Sequence, residues 1–349
     1  MGMIKLPENS ISFFKDNQDE IFLSGNLAES KWNDGLSIIT KKITGSKFAV
    51  PTCSNGSGLV ALLQIAKEYY NRKKVMIQSN TMYGVKTMVK AGGCELVGVI
   101  NCQLETLMPS FEDIKIAFSR YSGNKEELIL LLSDIGGIIN PDIIPISEYC
   151  KNENIMLLED CAHSFGATLN GKSAGTFGDA GVYSFYATKA IFAGEGGAVV
   201  TNNDELGNIL SKYVIYDRFD QKMDIGFNIR PSEIQSLMIY SVIKEYKNII
   251  NNKMSIAKFY IETCNNYNID YINQETIEMR GNYYKFIIYN DQKTINELLP
   301  KLKSTTSNVY DYSLSNQNNI IKNHACLPIW YNQGHDLTLS VIGEIEHSF

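Results

Sequence analysis

Short, uninterrupted apolar runs alternate with segments of helical period through most of this chain, and that alternation constrains its fold more than any other feature. The β-rich runs fall at 74–79, 95–100, 128–132, 155–158, 180–185 and 197–201, and the helix-period segments at 57–70, 84–91, 111–121 and 143–151. A strand that is apolar along its whole length is buried on both faces, so the pattern predicts an α/β chain with a mainly parallel sheet between helices. The last two runs follow one another with no helix between them, which predicts a local departure from strict alternation. Asn170-Gly171 predicts a two-residue hairpin turn, because both residues tolerate positive φ. Beyond about Arg230 the texture changes. Residues 231–250 read as one long helix with Pro231 in its first turn. The Asn-, Tyr- and Ile-rich remainder, with a β-like run at 283–289, reads as a smaller second domain.

With 349 residues, the chain is long enough for a large core and two domains. A formal net charge of −6 with no basic block argues against a nucleic-acid or anionic-membrane surface. Seven cysteines, an odd number with no CxxC among them, fit a reduced cytosol better than a disulfide framework or a zinc site. No apolar run reaches transmembrane length and the N-terminus does not read as a signal peptide, so the expectation is a soluble cytoplasmic protein.

The chemistry concentrates between Leu157 and Thr201. Asp160 ends an apolar run and His163 follows it. Lys189 comes after a second run, with Ser184 before it and Gly194, Gly196 and Gly197 behind it. A lysine, a carboxylate and a hydroxyl at strand ends suit pyridoxal phosphate, which needs an amine for a Schiff base, an acid opposite its ring nitrogen and donors around its phosphate. Upstream, Gly56 and Ser57 stand where a helix begins, and free N–H groups at a helix N-terminus favour a phosphate. That same loop, Gly56-Ser57-Gly58-Leu59-Val60-Ala61, also satisfies the G-x-G-x-x-G/A dinucleotide pattern. A nicotinamide reading further requires an acid at the end of the next strand, and Ile77-Gln78-Ser79-Asn80 has none. An NAD-dependent dehydrogenase is therefore the alternative enzyme, and a catalytically silent regulator on the same fold the non-enzymatic one.

The stretch from Glu159-Asp160-Cys161-Ala162-His163 through Gly166-Ala167, with Gly175-Thr176-Phe177-Gly178-Asp179, Tyr183-Ser184-Phe185 and Lys189, resembles the signature of the PLP-dependent nucleotide-sugar aminotransferases. These are the DegT/DnrJ/StrS family, of fold type I. Ser54-Asn55-Gly56-Ser57, Gly226-Phe227-Asn228-Ile229-Arg230 with Glu233, and His324-Ala325-Cys326-Leu327-Pro328 extend the resemblance over nearly the whole chain. It implies a large domain (1–240) built on a seven-stranded-type sheet and a small α+β domain (241–349). By the same resemblance Lys189 forms the Schiff base, Asp160 pairs with the pyridinium, and His163 contacts the ring hydroxyl. Gly56, Ser57 and Ser184 hold the phosphate, and Asn228 reaches the phosphate of the neighbouring subunit in a homodimer with shared active sites. Met82 occupies the place where relatives stack an aromatic ring on the cofactor, with Tyr83 beside it. The implied reaction moves an amino group from an amino acid, usually glutamate, to a nucleotide-linked keto sugar for polysaccharide, glycan or antibiotic synthesis. With Lys189 in place, the chain differs from relatives in which histidine replaces the lysine and the sugar is dehydrated.

Overall fold

The computed structural model describes residues 5–216, 223–290, 295, 297 and 320–348. Two helices open the chain, α1 (Glu8–Ser24) and α2 (Lys31–Thr44). The alternation follows: β1 (Phe48–Thr52), α3 (Asn55–Tyr70), β2 (Lys74–Gln78), α4 (Tyr83–Ala91), β3 (Glu95–Ile100), α5 (Phe111–Arg120), β4 (Leu128–Ser133), α6 (Ile143–Asn152) and β5 (Met156–Cys161). A hairpin of β6 (Thr168–Leu169) and β7 (Lys172–Ser173) comes next, then β8 (Ala180–Ser184), β9 (Gly197–Thr201) and α7 (Asp204–Tyr213).

The main sheet has seven strands in the order β1-β9-β8-β5-β4-β2-β3. The pairs from β3 to β8 are parallel, while β9 runs antiparallel to both β8 and β1. That is the expected departure from alternation. With no helix between β8 and β9, the chain cannot make a crossover and must turn back on itself. In the small hairpin Asn170 and Gly171 take φ of 50° and 74°, as a turn with two left-handed residues requires. Strand β4 makes the burial pattern concrete. Leu128, Leu130 and Leu132 join the core on one face of the sheet, and Ile129 and Leu131 join the core on the other, beneath α3, α4 and α7.

The long helix expected over 231–250 is instead two, α8 (Glu233–Ile243) and α9 (Tyr246–Asn266), and Pro231 precedes the first cap rather than lying within a turn. The first packs on the main core, and α9 passes from that core, which Ile249 enters, to a second one. Leu237 of α8 packs with Ile21 and Trp32, and Ile239, Val242 and Ile243 enter the main core. From Ile256 onward α9 covers a three-stranded sheet of β10 (Asp270–Tyr271), β12 (Phe286–Tyr289) and β13 (His324–Leu327), with the helix His335–Glu346. The remaining short strand, β11 (Met279–Arg280), pairs with β6. Phe286 and Ile288 face the C-terminal core while Ile287 between them enters the main one, so β12 links the two regions.

The first turn of α2 depends on a residue far away in sequence. Ser30 at its N-cap makes no side-chain cap. Instead the buried Glu233 carboxylate accepts from the Ser30, Trp32 and Asn33 N–H groups at 2.9, 2.6 and 3.1 Å, and from the Asn33 amide at 2.6 Å. A charge at a helix N-terminus is favourable, and these donors have no alternative once it is gone. Glu233→Ala is expected to destabilise the protein by about 3 kcal/mol, read as a lowered urea midpoint with unchanged slope. A midpoint within error of wild type would show that water replaces the carboxylate without loss.

Candidate active site

Parallel strands end at one edge of the sheet, and the polar residues of the chain gather there. Ser133 closes β4 and is in register with Asp160 near the end of β5. The Asp160 carboxylate is buried and accepts from the Asn55 amide at 2.9 Å, the Ala162 N–H at 3.2 Å and the Ser133 hydroxyl at 3.3 Å. Burial pushes its carboxyl above the ordinary range, and the Asn55 amide, the Lys189 charge, the Ala162 N–H and the Ser133 hydroxyl pull it back. Donors and a cation around a buried carboxylate are what keep it ionised.

Lys189 lies in the loop between β8 and β9. The loop is closed by main-chain bonds from Phe185 to Gly196, from Ala187 to Gly194 and from Lys189 to Tyr186, each at 2.9 Å. Burial lowers the Lys189 ammonium to about 8, with the Asp160 charge opposing and the Lys285 charge adding to the lowering. A free amine is thus available near neutral pH, as a nucleophile or proton carrier needs.

His163 is buried, and its ring lies 4.2 Å from that of Tyr284, tilted by 30°. Burial first, then the Lys189 and Lys285 charges, hold its imidazole well below the usual range, so it is neutral. Tyr284 also faces the Lys189 ammonium, 5.3 Å from the ring centre. Asn282 fixes this arrangement by donating to the carbonyls of His163 at 2.7 Å and Phe165 at 3.0 Å, while accepting from the Tyr284 N–H at 2.9 Å.

The start of α3 lies beside Lys189's loop. Ser184 pairs with Gly197, and a Cβ at Gly197 would stand 2.6 Å from the Ser54 carbonyl carbon and 2.7 Å from the Asn55 nitrogen. Only glycine permits that approach. Ser54 and Ser57 form a capping box, with the Ser57 N–H donating to the Ser54 hydroxyl at 3.1 Å and the Ser54 N–H to the Ser57 hydroxyl at 3.2 Å. Gly58 faces the sheet so closely that a Cβ would meet Val182 and Val199 at 2.7 and 2.9 Å. Close helix–sheet packing therefore accounts for the second glycine of the dinucleotide-like pattern.

The other expected residues fall as follows. Thr81, beside Met82, exchanges a hydrogen bond of 2.7 Å with Ser133, which brings this loop to the Asp160 edge. Met82 itself is 43% exposed and Tyr83 52%. Asn228 is exposed, and its segment lies along the loop of its own chain, where the Cys53 N–H donates to the Ile229 carbonyl at 2.6 Å. Phe227 and Ile229 line a mostly apolar cavity of about 340 Å³ with Gly56, Ser57 and Met88.

Several contributors had no role assigned from the sequence. Ser133, Asn282 and Tyr284 carry no signal of their own, and Asn55, though inside the motif at the start of α3, shows its role only when the sheet edge brings it to Asp160. Glu159, also inside a motif, is similar. Its buried carboxylate accepts from the N–H groups of Gly175, Phe177 and Gly178 at 2.9, 2.7 and 2.6 Å, against the burial that pushes it up to about 6. The spacing from Glu159 to Gly178 thus serves as scaffold, holding the loop that leads into β8. Amine, hydrogen-bonded acid, neutral imidazole and capped helix start together fit the groups that pyridoxal phosphate requires.

The sequence profile of the DegT/DnrJ/EryC1/StrS aminotransferase family matches residues 14–333. The chain belongs to that family. Among relatives, it is 28% identical over 220 residues to the GDP-perosamine synthase of Vibrio cholerae, a match covering 60% of this chain and 56% of that one. It is 25% identical to the GDP-4-keto-6-deoxy-D-mannose 3-dehydratase of Escherichia coli O55:H7, over 74% of this chain and 71% of the relative. The match to the synthase spans little more than half of that relative's length. The fold extends further. Helicobacter pylori PseC, an aminotransferase involved in the biosynthesis of pseudoaminic acid, superposes with a TM-score of 0.84 at 19% identity, over 99% of this chain and 98% of that one. This DegT/DnrJ/EryC1/StrS member therefore has the α/β architecture of the solved sugar aminotransferases, with its mainly parallel sheet. Among its described residues, no helix is long and apolar enough to cross a membrane.

Proposed function

We propose that the protein is a pyridoxal-phosphate-dependent aminotransferase that moves an amino group from an amino acid, glutamate being the family's usual donor, to a keto sugar carried on a nucleotide. The observation that carries this reading is the pairing of a half-buried lysine of lowered pKa with a buried, hydrogen-bonded carboxylate at one sheet edge. Bound there, pyridoxal phosphate supplies an electron sink for the donor's α-carbon and carries the amino group between substrates.

The residues divide the remaining work. Asp160 keeps a proton on the ring nitrogen by its charge. His163, neutral and held against Tyr284, offers a hydrogen bond to the ring hydroxyl. Gly56, Ser57 and Ser184 are the phosphate donors, the Ser57 hydroxyl turning away from the Ser54 backbone to serve. Met82 or Tyr83 covers the ring face. Lys189 takes the proton from the donor's α-carbon and returns it at the sugar carbon, within reach of both as a general base and then acid. The dehydratase among the relatives suggests the other outcome for a keto sugar. An amine at position 189, rather than the histidine typical of dehydrating family members, favours amino transfer. The tight packing of Gly58 and the missing acid after β2 leave the dehydrogenase alternative without a site. Further parts of the proposal are a large domain of 1–240 and a small one of 241–349, a homodimer in which Asn228 completes the partner's site, and a cytoplasmic location.

The test is direct. Protein incubated with pyridoxal phosphate is expected to turn yellow and, after borohydride, to carry the pyridoxyl label on Lys189 by peptide mass mapping. A label on another lysine, or no label, would overturn the proposal.

A further inference from the structure

Two lysines outside the sequence motifs lie in the C-terminal region, Lys285 close to Lys189 across the Tyr284 ring and Lys253 within reach of the Lys285 charge. Lys285 stands at the start of β12, and its N–H donates to the Gly136 carbonyl at 2.9 Å, which anchors it beside the sheet edge that carries Ser133 and Asp160. Its ammonium lies 5.4 Å from the centre of the Tyr284 ring, the same ring that faces Lys189 at 5.3 Å. Lys253 lies on α9, only 3% exposed. One turn earlier, Ile250 packs on the loop after His163, its terminal carbon 2.8 Å from where a Cβ of Gly166 would be. Residues three apart share a helix face, so Lys253 belongs to the side of α9 that meets this loop. The charge of Lys285 reaches it, since burial first and Lys285 second lower the Lys253 ammonium to about 7.

No hydrogen bond or ion pair holds the ammonium of Lys253 or of Lys285 among the described residues. Asp160, the acid at this edge, opposes the lowering of Lys189 but is not among the groups acting on Lys253. A buried cation such as Lys253 is costly without a counter-ion, and the half-buried Lys285 brings a second like charge to it. The phosphate cradle does not remove the difficulty. It lies at the start of α3 and the end of β8, whereas these lysines stand on the His163 and Tyr284 side of Lys189.

We propose that Lys285 and Lys253 form a carboxylate-binding subsite next to Lys189, which holds an acidic group of a substrate while Lys189 works on it. The inference rests on the aminotransferase reading above. The carboxylate is either that of the amino-acid donor or one borne by the acceptor sugar, and both present the same chemistry to the two ammoniums.

The test uses the cofactor-loaded protein and maleate, an unreactive dicarboxylate, titrated by calorimetry. Wild type is expected to bind maleate, Lys285→Met about tenfold or more weakly, and Lys285→Arg nearly as wild type, since arginine keeps the charge. Lys253→Met is expected to weaken binding in the same direction and to fold, because it replaces a buried charge with an apolar chain of similar length. The two half-reactions then assign the source. A raised KM for L-glutamate in Lys285→Met, with kcat largely kept, assigns the subsite to the donor. An unchanged glutamate half-reaction with a raised KM for a carboxylated keto sugar, but not a neutral one, assigns it to the acceptor. Maleate binding and both half-reactions unchanged in Lys285→Met would overturn the subsite while leaving amino transfer intact. A wild type that transfers no amino group would overturn the enzymatic reading instead, and the maleate titration would still decide the subsite.

Discussion

Asp160→Asn is expected to lower amino transfer by a hundredfold or more, on the order of 3 kcal/mol of barrier, while Lys189 still takes the borohydride-fixed label. The side chain stays the same size; an amide oxygen at the Oδ1 position still accepts from Asn55 and Ala162, now at 2.9 and 3.2 Å, and the amide N–H in place of Oδ2 can donate to the Ser133 hydroxyl. What it loses is charge. An amide cannot keep a proton on a ring nitrogen in a buried, low-dielectric site, where the interaction with an ionised carboxylate is strongest. The Asp160 charge also raises the Lys189 ammonium. Its removal should therefore lower that group further and make the free amine more abundant, so attachment survives while turnover falls. Stopped-flow absorbance on the glutamate half-reaction separates the two. Near-normal turnover in the variant would make the carboxylate a structural group only.

The mixing of two inactive proteins should recover activity if the active site is shared. Lys189→Ala removes the amine. On the proposed shared site, Asn228→Asp sets a negative charge against the partner's phosphate. In a mixed dimer one site would then combine an intact Lys189 with the partner's intact Asn228, and the other would carry both defects. Random exchange at equal concentrations puts about half the dimers in the mixed form, so roughly a quarter of wild-type sites should work. The side chain of Asn228 is exposed, yet its segment is bonded to the loop before α3 of its own chain through Cys53 and Ile229. The experiment decides between these neighbours. No recovery, with subunit exchange confirmed by mass, would assign Asn228 to its own site or to none.

The two effects differ in how visible their residues are in the sequence. Asp160 and Lys189 follow apolar runs, and in a parallel sheet the ends of such runs meet at one edge whatever the loops do. Local pattern therefore determined the strands, the α/β class, the Asn170-Gly171 turn and the place of the amine and the acid. It missed what depends on contacts between distant segments. Residues 48–52, which contain Pro51, are not among the β-rich runs, yet they form β1 by pairing with β9. The break between α8 and α9, at Lys244 and Glu245, has no glycine or proline to announce it. Glu233 lies in a recognisable motif, but its partners at 30–33 do not show from local spacing.

The sequence by itself determined which chemical groups stand at the strand ends, because period and burial are local properties of the chain. Only the tertiary structure decided what surrounds them. The fold buries Asp160 among Asn55, Ala162 and Ser133, lowers Lys189 by burial, and brings Tyr284 and Lys285 from the C-terminal region against His163 and Lys189. Desolvation and charge–charge energies depend on distance through space, and that distance is not written in separation along the chain.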